Sequence, residues 1–166
     1  AEVWMARRID PRIALLVQGL DAAYLKRGWH GPVLRNILKG LPFDLAHRRP
    51  VQGRHSVWEL ALHTAYWKYT VRRRITGDSE LSFPRPGANF PGVPILPSAA
   101  EWAADLTLLD EQHRLLRQAV LAFPPARLGR KRPRATWTFA EEIQGAAAHD
   151  LYHGGQMMLL RRVLGA

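Results

Sequence analysis

The segment AAAHDLYHGGQMMLLRR, residues 146–162, places His149 and His153 four positions apart. On a helix that spacing brings the two Cβ atoms to about 5–6 Å, close enough for both imidazoles to ligate one ion. Ala146, His149, His153, Gln156, Leu160 and Val163 follow the same 3–4 spacing and form one stripe, predicted to face the core. A third imidazole, His63, falls on the stripe Leu60, His63, Trp67 and Val71 of a different predicted helix. Three buried imidazoles without partners would be a costly way to fill a core. Three neutral imidazoles around a divalent ion, with a position left for water, form a known catalytic arrangement. The spacing therefore points to a metal site, against the alternative of hydrogen-bonded core histidines. An ion held this way lowers the pKa of a bound water or thiol and makes a nucleophile at neutral pH.

Other residues could complete such a site. His113 lies on the stripe Trp102, Leu106, Leu109, His113, Leu116 and Val120, which turns it inward as a pocket residue, a supporting partner or a fourth ligand. Gln156 shares the ligand stripe and could hold a ligand or brace the helices. Tyr66 and Tyr152 each follow a candidate ligand by three residues and offer either a hydroxyl or ordinary packing. His30, His47 and His55 fall in turns rich in Gly, Pro and Arg and stay outside the candidate site. Gly154 and Gly155 each cost roughly 1 kcal/mol of helix propensity against alanine. Their use here implies close helix packing or space beside the ligands.

Two other metal signatures fail. Position 150 is Asp, where His-Glu-x-x-His needs its general base. A di-iron bundle needs two Glu-x-x-His motifs, and Asp110-Glu-Gln-His113 is a lone near match. The chain has no cysteine, so any metal must be held by nitrogen and oxygen.

The elements that position these residues carry legible start signals. Asp10-Pro11 is an N-cap followed by proline at the first helical position. Ser56-Val-Trp-Glu59, Ser98-Ala-Ala-Glu101 and Thr138-Phe-Ala-Glu141 each read as a capping box ahead of an apolar-periodic run. Gly77 reads as the stop of the second long helix, Pro124-Pro125 ends the third, and the fourth runs to about Leu164. A shorter helix is predicted over 32–41. Strand signals are nearly absent, so the expected class is all-α, a four-helix bundle with insertions in a single domain over 1–166. Residues 78–97 are proline-rich, and fully extended they would reach about 66 Å. That length predicts a crossover running back along the bundle, leaving the second and third long helices parallel. An up-down-up-down bundle would need only a few residues there.

At 166 residues, with 47% hydrophobic and 23% charged residues, the composition is ordinary for a globular protein. No apolar run approaches the roughly 20 residues of a membrane span. The N-terminal AEVWMARRIDPR lacks the apolar stretch of a signal peptide, so a cytoplasmic, membrane-free protein is expected. The net charge is +10, with basic clusters in HRRP, VRRRITG and RLGRKRPRA. They are dispersed, without aromatic interleaving or a nucleic-acid-binding motif, and charge alone does not make a DNA-binding protein.

GRHSVWELALHTAYWKYTVRRRITG and WTFAEEIQGAAAHDLYHGGQMMLLRRVLG resemble the two histidine helices of the DinB/YfiT-like family in the DinB superfamily. RGWHGPVLRNILKGL resembles a further segment of that family, and His63 with His149-x-x-x-His153-x-x-Gln156 is the most specific part. The resemblance implies an up-down-down-up four-helix bundle. It also implies a divalent ion, zinc or nickel, held by residues matching His63, His149 and His153, and a homodimer. Characterised relatives include bacillithiol transferases and mycothiol-dependent maleylpyruvate isomerase. The function it implies is a metal-dependent transferase or hydrolase with a small-molecule substrate, a low-molecular-weight thiol among the candidates. The alternative is a non-enzymatic, metal-stabilised binding or stress-response module.

Overall fold

The structure is a computed structural model and describes residues 9–26 and 28–166. The signal-peptide reading rests on residues 1–12, of which 1–8 lie outside the described residues. The helices are α1 (Pro11–Tyr24), α2 (Leu34–Leu38), α3 (Phe43–His47), α4 (Val57–Thr76), α5 (Ala99–Leu121) and α6 (Phe139–Leu164), with one 3-10 turn at Pro125–Arg127. Among the described residues there is no strand, only two isolated bridges. No described helix is long and apolar enough to cross a membrane.

The helix starts follow the side chains that satisfy their orphan donors. Asp10 accepts from the Arg12 N–H ahead of α1. Ser56 and Thr138 form complete capping boxes, each hydroxyl accepting from the third residue's N–H while the glutamate returns to the cap N–H. The third box is half of one. Ser98 accepts from the Glu101 N–H, but the Glu101 carboxylate accepts from the Ser98 hydroxyl at 3.1 Å instead of from the backbone. Gly77 and Gly165 close α4 and α6 with φ of 71° and 76°, a left-handed conformation that glycine adopts without Cβ strain. The helix predicted over 32–41 is shorter, and α3 was not anticipated. α2 ends at Leu38 because Lys39 turns extended (ψ 131°) and Gly40 left-handed (φ 71°), and the chain restarts as α3 with Pro42 at its N-cap.

α4 packs against α5 and α6, and α1 against the same two; α2 lies on α6 and α3 on α4. The contacts carry a direction. Between α4 and α5, Trp58 meets Trp102 and Asp105, and Lys68 meets His113. Between α4 and α6, His63 meets His149, Lys68 meets Asp150 and Arg74 meets Glu142. Early residues thus meet early ones in the first pair and late ones in the second. The proline-rich segment after α4 lies along that helix. Tyr69 Oη donates to the Leu81 carbonyl, Phe83 packs on Tyr66 and Tyr69, Trp67 Nε1 donates to Asn89, and His47 meets the Pro94 carbonyl.

Apolar packing forms two clusters. One gathers Trp58, Leu62, Trp102, Leu109 and Met157; the other gathers Leu20, Val71, Leu116, Phe139 and Ile143. Lys68, His113, Asp150 and Asp21 form a buried polar group, joined by Tyr24 of the first cluster. The Lys68 ammonium donates to Asp150 and, at 3.4 Å, to His113 Nδ1. His113 Nε2 donates to Asp21, which also receives Arg117. Tyr24 stacks on the His113 ring at 4.3 Å and donates to Asp110 at 2.6 Å.

Candidate metal centre

His63 projects from α4, and His149 and His153 from successive turns of α6. Their convergence follows from the α4–α6 contact, which sets His63 opposite the one-turn pair. His149 Nε2 lies 3.1 Å from His63 Nε2 and 3.1 Å from His153 Nε2. One nitrogen from each ring falls within 4.8 Å of the other two, a grouping that could hold a metal ion.

The opposite ring nitrogens determine the tautomers. His63 Nδ1 lies 2.6 Å from the Asn89 carbonyl, which can only accept, so Nδ1 carries the proton. His153 Nδ1 lies 2.7 Å from Gln156 Oε1 and donates to it in the same way. Neutral His63 and His153 therefore turn bare Nε2 lone pairs toward His149. His149 Nε2 can carry one proton at most, so at least one of the two 3.1 Å contacts sets lone pair against lone pair.

Electrostatics keeps the rings neutral. Burial pushes His63 down to about 4, opposed by the Asn89 carbonyl and helped by the nearby His153 and His55. Burial also pushes His149 down to about 3, with His153 and His63 adding to it, and lowers His153 against the Gln156 hydrogen bond. His113 is lowered to about 3, first by burial and then by Lys68. The unfolded chain protonates its histidines near pH 6.5. Between that value and the depressed native values the unfolded state holds more protons, so acid favours unfolding there. The melting temperature of metal-free protein is therefore expected to be level above about pH 7 and to fall steeply from about pH 6 to 4. A level melting temperature down to about pH 5 would mean that the folded protein protonates these rings freely.

Phe90, from the segment after α4, stacks on His63 at 4.0 Å and on His55 at 3.9 Å. Asn89 beside it has φ 63°, a left-handed conformation that asparagine tolerates, and this turns its carbonyl onto His63 and its side chain onto Trp67. A cavity of about 440 Å³ opens beside His153 and Gln156, with Phe90, Tyr152, Leu159 and Leu160 among its walls.

The other sequence candidates are distributed as follows. Gln156 braces His153. Tyr152 sets its ring edge-on to His153 at 4.9 Å and is largely exposed. Tyr66 packs among Trp67, Tyr69 and Phe83. His113 is inward as expected, but it is not a fourth ligand or a wall of the cavity. Asp21 and Lys68 take both of its nitrogens, and it is absent from the converging group. Val163, expected on the buried stripe, is 56% exposed in the last turn of α6. His30 and His47 remain outside, each tied to a backbone carbonyl. His55, set aside with them, instead lines the cavity.

The two glycines separate. A Cβ on Gly154 would lie 3.3 Å from Ile37 Cδ1 and 3.7 Å from Leu34 Cδ1, so its bareness admits α2 against α6. A Cβ on Gly155 would meet nothing within 4 Å. Asn89 and Phe90 carried no signal, because their roles arise from contacts far apart in sequence. Lys68 did carry one: it follows Thr64 by four and precedes Val71 by three, on the buried side of α4.

The family model described as the DinB superfamily matches residues 25–157, which include all three converging histidines. No curated protein and no solved structure matches the chain.

Proposed function

The chain belongs to the DinB superfamily, and from that premise we propose that it is a metal-dependent enzyme, a transferase using a low-molecular-weight thiol or a hydrolase. One divalent ion, zinc or nickel, is held by Nε2 of His63, His149 and His153. The observation that carries this reading is the donor deficit among the three nitrogens: a cation at their centre removes the lone-pair repulsion, and no protonation state of neutral rings does. Two nitrogens each about 2.0–2.1 Å from a tetrahedral ion stand roughly 3.3 Å apart, close to the spacing found. The Asn89 carbonyl and Gln156 amide support it, since ligating histidines generally donate their other N–H to such acceptors.

The bound ion would supply Lewis acidity, lowering the pKa of a water or thiol. The chain's own groups orient the imidazoles, hold them neutral, and offer an apolar cavity at His153 while Phe90 excludes solvent from one face of His63. The direction of the α4–α5 and α4–α6 contacts, with the segment after α4 lying along that helix, favours an up-down-down-up four-helix bundle in one domain.

Zinc-loaded protein is expected to consume a small thiol with an electrophile, or to hydrolyse an activated ester or amide. The same protein stripped by a chelator should lose this activity and regain it on metal addition. Equal turnover with and without metal would overturn the metal dependence, and no turnover across both panels at full metal content would favour the non-enzymatic binding module.

A further inference from the structure

The cavity beside His153 differs in character from the surface around it. Leu60, Phe90, Leu159 and Leu160 give it apolar walls, and Arg54 and His55 stand among its lining residues with no carboxylate there. His55 is 3.5 Å from Glu59, the carboxylate that also receives Arg49. Arg54 forms no ion pair among the described residues, although it donates its backbone N–H to the Val51 carbonyl and so sits on a formed turn. One cation without a partner therefore borders an apolar slot whose inner wall carries a converging histidine. The volume of about 440 Å³ lies inside the usual range for small-molecule sites, about 300–1,000 Å³.

We propose that this cavity takes a small amphipathic carboxylate, an aryl- or alkyl-substituted acid, whose carboxylate pairs with Arg54 and whose apolar body lies between Phe90 and Leu159. The proposal rests on the reading of the three histidines as the reactive centre, toward which the body of the molecule then points. A single guanidinium presents a planar fork that matches one carboxylate in two parallel hydrogen bonds. A phosphate dianion would call for more cations than the lining supplies. A polyhydroxylated molecule would need polar partners, and the Gln156 amide oxygen already accepts from His153. Against Leu60, Phe90, Leu159 and Leu160 each added hydroxyl gives up water without a new partner, which disfavours such a molecule modestly per group.

The probe is 4-phenylbutyrate, compared with its uncharged isostere 4-phenylbutanol, with binding measured by calorimetry on zinc-loaded protein. Wild type is expected to prefer the acid. Arg54→Gln should weaken the acid by about tenfold or more, the loss expected for a charge-assisted hydrogen bond, while alcohol binding and zinc content stay unchanged. Arg54→Lys should restore part of the acid affinity. The same titrations on chelator-stripped protein separate this proposal from the metal reading. There the dependence on Arg54 should persist, because the guanidinium and not the ion holds the carboxylate. If acid binding disappears with the metal and ignores Arg54, the carboxylate was only an ion ligand and the proposal is overturned. Equal affinity of wild type for acid and alcohol would overturn it too. A protein that takes up no zinc but still shows the Arg54 effect would defeat the metal-enzyme reading and leave the carboxylate site standing.

Discussion

His149→Ala is expected to strip the purified protein of nearly all its bound divalent metal, with His63→Ala and His153→Ala close behind. His149 is the most exposed to this argument, because its Nε2 makes both of the 3.1 Å contacts. Outer partners of ligating histidines typically cost 10–100-fold in affinity when removed, so loss of a ligand should exceed about 100-fold. Gln156→Leu provides the intermediate case. It removes the acceptor that fixes the His153 tautomer but leaves all three ligands, and should weaken the metal by roughly 10–100-fold. His30→Ala and His47→Ala should leave metal content unchanged, since both rings serve backbone carbonyls elsewhere. Elemental analysis of untagged protein, followed by competition against a chelator, reads the whole series. Full stoichiometric metal in all three ligand variants would place the ion somewhere else.

The second large effect concerns stability. Lys68→Met removes a side chain that is 1% exposed and leaves the wholly buried Asp150 carboxyl without its partner. Burial pushes the Lys68 ammonium down and the Asp150 carboxyl up, and each draws the other back toward its charged form. Asp150 Oδ1 already has no hydrogen-bond partner in the structure, so the loss of Lys68 would orphan both oxygens. Breaking one side of such a pair costs about 3–5 kcal/mol, a large part of the roughly 5–15 kcal/mol that holds a domain together. At about 2–4 °C per kcal/mol for a chain of this size, the melting temperature should fall by roughly 6–20 °C. Lys68→Met combined with Asp150→Leu should recover much of that loss, because two apolar groups of similar volume leave no stranded charge. A melting temperature unchanged in Lys68→Met would show that water, not Lys68, satisfies Asp150.

The sequence alone determined what depends on neighbours within a few turns. Hydroxyl caps three residues ahead of a glutamate, glycine at a helix stop and a 3–4 apolar period are local, because helical hydrogen bonds and side-chain contacts span only three or four residues. The long helices, the pairing of His149 with His153 and the inward direction of His63 and His113 were legible for that reason. The long proline-rich segment bore on topology in the same way, through reach alone.

Tertiary structure decided which inward histidines share a centre. His63 and His113 both face inward, yet one meets the pair on α6 while the other joins Asp21 and Lys68. That choice depends on how α1, α4, α5 and α6 are set lengthwise against one another, which no helical period encodes. The same setting brings Asn89, Phe90 and His55 to the site from segments without periodicity. It gives Gly154 its purpose, since only the arrival of α2 makes a bare backbone useful there. Side-chain spacing along one helix is a property of that helix, whereas a site built across two helices and the segment after α4 is a property of their packing.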